Sequence, residues 1–437
     1  MKQRRGRRIV LNPYLDSLQI VTKVLAVLII ILFIIFIYSF IKKNTKKTSS
    51  EPNTVTNVEI SEEENNVNSA PESKQDLNSM VEEKENKEIT INMALTGDIM
   101  CHNTIYLDAY DKTSNSYDFS YIFENIKYYI QTADISVGNL ETTFAGPKKK
   151  YSSYPTFNTP ESLAYNLKKL GFDVLSTANN HCYDSGYSGI ESTINYLNDA
   201  DIAHTGTYKS KEEQNKILIQ NVKGMKIAFL SYTYGTNGIK VPNDKSYSVN
   251  LINKDLILKQ LSLAKAEKPD LICACMHWGT EYQVNPNKEQ KDLADFLFQN
   301  GVDIIIGNHP HILQPMETKN ITLNDGTEKQ VFVVYSLGNF IADQNKTNTR
   351  NSAILNLNIT KNEDNKIKIN SITTTPIYTY KDTSKNTKKF KLIDLANTIA
   401  SYDAGYGTEI GQKTYNTFKT ELQNVKKVLG ESLKLTF

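Results

Sequence analysis

Cysteine is scarce in this chain, and the shortage restricts what the protein can be. Four cysteines occur among 437 residues, too few for the disulfide framework of a small secreted protein, and no two form a C-x-x-C pair. Cys273 and Cys275 alternate on one predicted strand and point to the same face. We interpret them as small buried side chains. The length allows one large domain with extensions or two modest domains.

A strong charge of one sign is also missing. The formal net charge is +2, from 50 basic and 48 acidic residues, so no global field favours nucleic acid as a partner. The sequence contains neither a G-x-S-x-G elbow nor a G-x-x-x-x-G-K-[ST] loop. These absences argue against an α/β-hydrolase nucleophile and against a P-loop nucleotide site.

One long apolar run is present, from Val24 to Ile41, with Lys23 before it and Lys42 and Lys43 after it. Its 18 residues, at about 1.5 Å each, nearly cross a hydrocarbon layer of roughly 30 Å. A cleaved signal peptide is the main alternative, but no small-x-small cleavage site follows the run. The pattern predicts an uncleaved signal anchor in the lipid bilayer. The basic N-terminal side favours a single-pass cell-membrane protein whose remaining chain is extracytoplasmic.

Composition divides the chain into five segments. Residues 1–23 are basic and predicted to be cytoplasmic, and residues 24–41 form the predicted anchor. Residues 42–88 are polar with almost no aromatic side chains, which predicts a disordered linker. Residues 89–376 carry the pattern of one large domain, and residues 377–437 are predicted to be a helical extension.

Strand and helix patterns alternate through the large domain, which is typical of α/β layers. The pattern predicts helices at Phe119–Gln131, Pro160–Leu170, Gly189–Asp199, Lys254–Glu267 and Glu289–Asn300. It predicts strands at Ile89–Thr96, Ile135–Val137, Phe172–Ser176, Ile202–His204, Lys216–Val222, Lys226–Tyr232, Leu271–Met276 and Asp303–Ile306. Lys223-Gly224-Met225 indicates a hairpin, and Thr159 is a suitable N-cap for the helix after it. From Gln330 to Thr374, short strands with polar turns predict a second sheet.

Polar motifs follow several of these strands at the points where the strands end. With His102 included, they contain five of the six histidines. Strand ends in α/β proteins line a crevice at the carboxyl edge of the sheet, and imidazole, carboxylate and amide groups are ligands of borderline metals. The sequence therefore predicts a metal site. The motifs are T-G-D-I-M at Thr96–Met100, G-N-L-E at Gly138–Glu141, N-N-H at Asn179–His181, M-H-W-G at Met276–Gly279 and G-N-H-P-H at Gly307–His311.

The acidic and amide candidates each have a simpler structural explanation. Asp98 follows a strand and a glycine, where a carboxylate binds a cation but also serves as an N-cap or turn residue. Glu141 occupies the corresponding position after another predicted strand. Asn179 and Asn180 are common turn residues, although an asparagine beside His181 at a strand end is less easily explained that way.

The histidine candidates are His277, which an ordinary core position also explains, and the pair His309 and His311. This pair flanks Pro310, and in an extended segment both side chains would share a face. No thiolate cluster is present, so the ligand types favour Zn, Mn or Fe over Cu(I), with one or two ions. The candidate ligands are Asp98, Glu141, Asn179 or Asn180, His277, His309 and His311, with His102 as a further candidate.

Neighbouring residues are candidates for catalysis and for substrate contact. Asp184 is placed to orient His181 by accepting an imidazole hydrogen bond. Candidates for substrate contact are Glu281, Tyr282, Asn339 and Trp278, although packing explains the tryptophan equally well.

In this order the motifs resemble the CapA family of poly-γ-glutamate capsule synthesis proteins, over about Ile89 to Thr375. That family is similar to calcineurin-like metallophosphoesterases. The resemblance implies a four-layer α/β/β/α sandwich, a divalent metal, an envelope polymer such as poly-γ-glutamate and membrane synthesis or export proteins as partners. The segments that carry it are G-D-I-M, G-N-L-E, N-N-H-x-x-D-x-G at Asn179–Gly186, H-W-G-x-E-Y at His277–Tyr282, G-N-H-P-H, and S-L-G-N-F at Ser336–Phe340.

The resemblance also implies a role for each matching residue. Asp98 matches the first metal aspartate, Asn180 the metal-bound asparagine and His181 the histidine that contacts substrate. Asn139 and Glu141 fall where the phosphoesterases have a bridging aspartate. Position 100 is Met where the phosphoesterase pattern has a histidine. The three later metal histidines correspond to His277, His309 and His311.

Two functions fit these observations. The first is a metal-dependent hydrolase or transferase that acts on a γ-glutamyl polymer or a phosphoester, with His181 as acid or electrostatic stabiliser. The second is a non-catalytic accessory that binds an anionic polymer and supports its synthesis or export. The basic run Lys148–Lys150 would suit the second function, although a solvated loop also explains it.

Overall fold

A computed structural model of the chain describes residues 87–406 and 410–430. The predicted anchor at residues 24–41 and nearly all of the predicted linker lie outside this part of the chain. No helix within the described residues is long and apolar enough to cross a bilayer.

The strands follow the predicted ones closely and add several after residue 306. They are β1 (Ile89–Ile99), β2 (Tyr110–Asp111), β3 (Ser116–Tyr117), β4 (Ile135–Leu140), β5 (Val174–Ser176), β6 (Ala203–Thr205), β7 (Leu218–Val222), β8 (Met225–Thr233), β9 (Leu271–His277), β10 (Ile304–Asn308), β11 (Leu313–Thr322), β12 (Glu328–Leu337), β13 (Asn339–Ile341), β14 (Asn351–Lys361), β15 (Ile367–Lys381) and β16 (Phe390–Asp394).

In the described part of the chain, seven α-helices lie in connections between these strands, all before β10, and two follow β16. They are α1 (Asn103–Asp108), α2 (Lys127–Gln131), α3 (Ser162–Leu170), α4 (Gly186–Asp199), α5 (Lys211–Asn215), α6 (Lys254–Ala266), α7 (Lys288–Gln299), α8 (Leu395–Asp403) and α9 (Gln412–Leu429).

Two mixed sheets form the centre of the domain. The first has the order β16-β15-β14-β1-β4-β5-β6, with β13 also paired to β1, and the second has the order β11-β12-β10-β9-β8-β7. Strands β1, β4, β5 and β6 run parallel in the first sheet, and β8, β9, β10 and β12 run parallel in the second. Parallel strands bring their carboxyl ends to one edge, and the polar motifs therefore collect there.

Alternation of side chains sorts the apolar residues into layers. Cys273 and Cys275 point to the same face and are buried, as predicted. They lie in the core between the two sheets, together with Leu95 of β1. Ala274 lies between the two cysteines and faces outward, into a core shared with Leu261 of α6. Helix α3 covers the outer face of the first sheet in a third core. Because each strand alternates its side chains between two faces, the result is a helix–sheet–sheet–helix stack, and the predicted α/β class is confirmed.

The chain crosses from one sheet to the other at Gly338, which has a φ of 67°. Strand β12 of the second sheet ends at Leu337, and β13 pairs with β1 of the first sheet. A Cβ on Gly97 would lie 1.9 Å from the carbonyl oxygen of Gly338. The Asp98 backbone N–H donates to that same oxygen at 2.9 Å. This close approach places the end of β1 beside the loops of the second sheet.

The prediction of a separate sheet from Gln330 to Thr374 is wrong. Strand β12 belongs to the second sheet, whereas β14 pairs antiparallel with β1 and β15 pairs with β14 in the first. Strand β15 also runs across residue 376, where the large domain was predicted to end. The C-terminal segment therefore starts inside the first sheet, and Phe418 of α9 packs into the core between the sheets. Strand pairing over long sequence distances decides this assignment.

Two local predictions also need correction. Phe119–Gln131 is not one helix but a 3₁₀ turn at Ser120–Ile122 followed by the short α2, because Phe119, Phe123 and Ile126 are all drawn into the core. The N-cap of α3 is Glu161 rather than Thr159. The predicted hairpin around Gly224 is confirmed, since β7 and β8 pair antiparallel.

Candidate metal centre

Carboxylate and imidazole groups from both sheets converge at the shared carboxyl edge. The ligand atoms of Glu141, His277 and His309 all lie within 4.8 Å of one another, and so do those of Asp98, Glu141 and His311. All five side chains are buried. Glu141 belongs to both groups, so the arrangement offers two adjacent cation positions with one carboxylate between them.

The first position lies at the end of β1. Oδ2 of Asp98 is 3.2 Å from Nδ1 of His311, and the Asn139 amide donates to Oδ1 of Asp98 at 2.8 Å. The backbone N–H of His309 approaches Oδ2 at 3.3 Å. These contacts fix the carboxylate against the histidine loop of the second sheet.

The second position lies between β4 and β9. Oε1 of Glu141 is 3.5 Å from Nε2 of His277 and 3.8 Å from Nε2 of His311. Nε2 of His277 is also 2.7 Å from the amide oxygen of Asn180. The His309 ring centroid lies 4.8 Å from that of His277. Carboxylate, amide oxygen and imidazole nitrogen thus meet at one point, which is the donor set of a borderline divalent cation.

Several of these buried atoms have no protein partner. Both carboxylate oxygens of Glu141 and Nδ1 of His309 lack a hydrogen bond among the described residues. Burial, followed by the charge of Asp98, raises the pKa of Glu141 well above its usual 4.5. Burial, followed by the proximity of His311, lowers the pKa of His309 to about 3. A divalent cation would satisfy these acceptors, so the residues fit a metal.

The loop that carries His309 and His311 is not extended, which was the condition under which we expected both side chains to share a face. Strand β10 ends at Asn308, and the φ angles of His309 and His311 are 99° and 59°. A positive φ outside glycine costs of order 1–3 kcal/mol, and such strain is typical of functional sites. The two ring centroids are 5.8 Å apart. The turn, rather than a shared strand face, brings both imidazoles to the centre.

His181 stands next to this centre and is held by Asp184. Nδ1 of His181 donates to Oδ2 of Asp184 at 2.7 Å, and the Phe157 backbone N–H donates to the same oxygen at 2.6 Å. Asn237 connects His181 to the ligands, because its amide nitrogen approaches the His181 ring and its amide oxygen accepts from Asn180 at 3.0 Å. The predicted pair of His181 and Asp184 therefore lies beside the second cation position.

The family is decided by a match over residues 92–344 to the family described as "Bacterial capsule synthesis protein PGA_cap". The chain belongs to this family.

Relatives of the chain carry CapA names. A "Capsule biosynthesis protein CapA" of Bacillus anthracis is 32% identical over 289 residues, covering 64% of this chain and 66% of that protein. A "PGA biosynthesis protein CapA" of Bacillus subtilis is 30% identical over 306 residues, covering 69% of this chain and 75% of that protein. The chain thus spans just under two thirds of the first relative.

The solved structures that align with the chain are more distant. An NAD nucleotidase of Haemophilus influenzae aligns with a TM-score of 0.42 at 11% identity, covering 79% of this chain and 64% of that one. A protein described as a putative 5'-nucleotidase of Staphylococcus aureus aligns with a TM-score of 0.42 at 14% identity, covering 76% and 58%.

Two further ligand candidates of this PGA_cap chain lie beside the centre rather than in it. The Asn179 amide nitrogen donates to the Leu140 carbonyl at 2.7 Å, which is a structural contact. Nδ1 of His102 accepts from the Asp343 backbone at 3.2 Å, and its ring packs on Phe157. The Asn179 side-chain oxygen accepts from the His181 backbone N–H at 3.1 Å, and His102 belongs to none of the ligand groups described above. Asn139 contributes by positioning Asp98, because its side-chain amide donates a hydrogen bond to that carboxylate.

Two of the residues predicted to contact substrate, Trp278 and Asn339, are buried. Trp278 belongs to the core outside the second sheet, and its indole N–H donates to the Tyr335 carbonyl at 3.0 Å. Asn339 is fully buried, and its oxygen lies 3.1 Å from Nδ1 of His311. Packing explains the tryptophan, and Asn339 positions a histidine. Glu281 and Tyr282 do lie near the centre.

One residue at the candidate centre, Tyr234, was not predicted from the sequence. Tyr234 directly follows β8, and its ring centroid lies 4.5 Å from that of His309. Its side chain is 48% exposed, while burial, followed by the charge of Glu281, raises the pKa of its phenol to about 12. Its position at a strand end, like that of the other motifs, was the signal that would have found it.

Proposed function

We propose that this chain is a membrane-anchored, metal-dependent hydrolase or transferase that acts outside the membrane on poly-γ-glutamate or a related envelope polymer during capsule synthesis or export. Membership of the PGA_cap family and the CapA names of its Bacillus relatives support the capsule role. The observation that carries the enzymatic part is Glu141. This buried carboxylate lies between two groups of candidate ligands and has no hydrogen-bond partner among the described residues.

The ligands divide between two calcineurin-like positions. Asp98, Glu141 and His311 would hold one divalent cation, and Glu141, Asn180, His277 and His309 would hold the other. When bound, such ions supply Lewis acidity and a water of lowered pKa. Zn, Mn and Fe all suit this set of nitrogen and oxygen ligands.

His181 is the proposed acid or electrostatic stabiliser. Because Asp184 accepts the Nδ1–H, the imidazole is held in one orientation and Nε2 remains for a substrate oxygen. From there an imidazolium at His181, with a proton on each ring nitrogen, would give its Nε2 proton to the leaving group or stabilise its negative charge.

Removing two histidines tests the metal directly. In purified full-length protein reconstituted with Mn or Zn, changing both His309 and His311 to Ala is expected to remove bound metal while the circular dichroism spectrum is kept. Both side chains follow a strand end and lie outside the three main apolar cores. Elemental analysis is the measurement, and His204→Ala is the matched control because His204 is absent from the ligand groups. A wild type that retains no metal would refute this proposal.

A non-catalytic polymer-binding subunit of a membrane synthesis complex is the second candidate. The observation that favours it is Met100, which packs with Phe157 and Ala342 and adds no ligand where the phosphoesterase pattern has a histidine. The basic run gives it less support, because Lys149 already donates to the Ser185 carbonyl at 2.6 Å.

Membrane anchoring through residues 24–41 is a separate part of the proposal, motivated by the bracketed apolar run. Protease added to intact protoplasts is expected to degrade the large domain and to leave a small N-terminal fragment. A cytoplasmic protein of the same strain serves as the control for intact membranes. Complete protection of the domain would contradict the proposed topology.

A further inference from the structure

A third carboxylate reaches the centre from the solvent side. Glu281 lies in the loop between β9 and α7 and is exposed, whereas Glu141 is fully buried. Ligand atoms of Glu281, His309 and His311 all lie within 4.8 Å of one another. Glu281 is thus the exposed member of a cluster whose other carboxylates are buried.

The loop that carries Glu281 is fixed to the histidine loop. The Tyr282 backbone N–H donates to the Pro310 carbonyl at 2.8 Å, between the two histidines. One residue further, the Gln283 carbonyl accepts from the Gln314 amide at 2.7 Å. These two hydrogen bonds hold Glu281 against the side chains of His309 and His311.

A buried pair of glutamines supports that loop. The Gln290 amide donates to the Gln314 side-chain oxygen at 2.8 Å, and both side chains are buried. Gly279, with a φ of 86°, lies so close that a Cβ there would be 2.6 Å from Gln290. Burying amides costs free energy unless they are hydrogen-bonded. Here their hydrogen bonds hold the loop that presents Glu281, as contacts behind a metal ligand do.

Charge gives a second reason for a carboxylate at this place. Asp98 and Glu141 supply two negative charges, while two divalent cations carry four positive charges. An additional anionic ligand reduces the excess positive charge and adds a donor of the type these metals accept.

We propose that Glu281 is a further metal ligand, which closes the centre on its solvent side between His309 and His311. The inference rests on the proposed metal-dependent function. It gives Glu281 a role distinct from the substrate contact predicted from the sequence.

Metal titration of the full-length protein tests this ligand. After metal removal, wild type and Glu281→Gln are titrated with Mn²⁺ and Zn²⁺ by isothermal calorimetry. Glu281→Gln is expected to weaken at least one binding step about tenfold or more, and Glu281→Asp, whose carboxylate is withdrawn by one methylene, also weakens it. Glu289→Gln, the same charge change on the exposed first turn of α7, is expected to bind like wild type. Because Glu281 is exposed, thermal unfolding of the metal-free variants should match wild type.

The possible outcomes distinguish a failure of the Glu281 ligand from a failure of the proposed metal-dependent function. If wild type binds neither Mn²⁺ nor Zn²⁺, both the metal-dependent function and the ligand are refuted. If wild type binds metal and Glu281→Gln binds it equally well, only the ligand is refuted. If Glu281→Asp binds like wild type and about 0.5 M NaCl abolishes the defect of Glu281→Gln, the effect is long-range charge alone, and ligation by Glu281 is again refuted.

Discussion

Replacing Glu141 by Gln is expected to stabilise the metal-free protein and to abolish its stabilisation by metal. The wild-type carboxylate is fully buried, and neither oxygen has a hydrogen-bond partner among the described residues. A neutral amide of the same shape removes the cost of a buried charge, although it leaves a polar group unpaired. It also removes the one carboxylate common to both ligand groups.

The sign of the pH dependence follows from the direction of the Glu141 shift. Its pKa in the folded protein is raised above the usual 4.5, so the folded state binds more protons than the unfolded state between those two values. This contribution to stability is fully present below pH 4.5 and is lost as the pH rises through the folded pKa, by at most about 1.4 kcal/mol per pH unit. Glutamine does not titrate, so the advantage of the variant should grow with pH across this window.

Thermal unfolding with chelator and with Mn²⁺ or Zn²⁺ measures both effects. With chelator at pH 7, Glu141→Gln should melt higher than wild type. With free metal at 100 times its Kd, wild type should gain about 2.7 kcal/mol and the variant little. The difference in melting temperature between the two proteins reports the effect of Glu141 alone. The nearby histidines, whose pKa values are shifted downward, are the same in both proteins. A variant that binds metal like wild type would contradict the shared position of Glu141.

Replacing His181 by Gln is expected to leave metal content unchanged and to abolish polymer production. His181 contacts Asp184 and Asn237 and belongs to neither group of ligands, so its loss should remove a proton donor rather than a ligand. His277→Ala should remove both metal and function, because Nε2 of His277 is within 3.5 Å of Glu141 and 2.7 Å of the Asn180 oxygen.

The measurement uses strains whose only copy of the protein is one variant. Metal content is measured on the purified variant, and envelope polymer yield is measured on the strain. A subunit that merely binds polymer should tolerate His181→Gln as long as the domain is folded. Full polymer yield from that strain would therefore refute catalysis through His181 and favour the accessory function. The expected loss would separate the two functions that the sequence leaves open.

Much of the candidate centre was predictable because its candidate ligands lie at or next to strand ends. Asp98 is the last but one residue of β1 and His277 is the last residue of β9, in a pattern of apolar runs that a single sequence displays. The buried alternation of Cys273 and Cys275 was equally local. Such predictions succeed because strand periodicity and the carboxyl-edge rule depend on short stretches of chain.

Other features depended on contacts that no short stretch contains. Trp278 adjoins the candidate ligand His277, but alternation turns its indole to the opposite face of the second sheet, where the indole N–H donates to the Tyr335 carbonyl. His309 and His311 meet their partners through positive φ angles rather than through a shared strand face. Tyr234 belongs to the centre because its ring reaches the His309 loop.

The sequence by itself determined the α/β class, the position of most strands up to residue 306, and the types and order of the candidate ligands along the chain. Only the tertiary structure decided which carboxylate is shared, since the place of Glu141 between two histidine groups depends on two sheets meeting at Gly97 and Gly338. It likewise decided that β14 and β15 complete the first sheet. Local pattern encodes which face a side chain takes, whereas pairing over hundreds of residues is set by the packing of whole layers against one another.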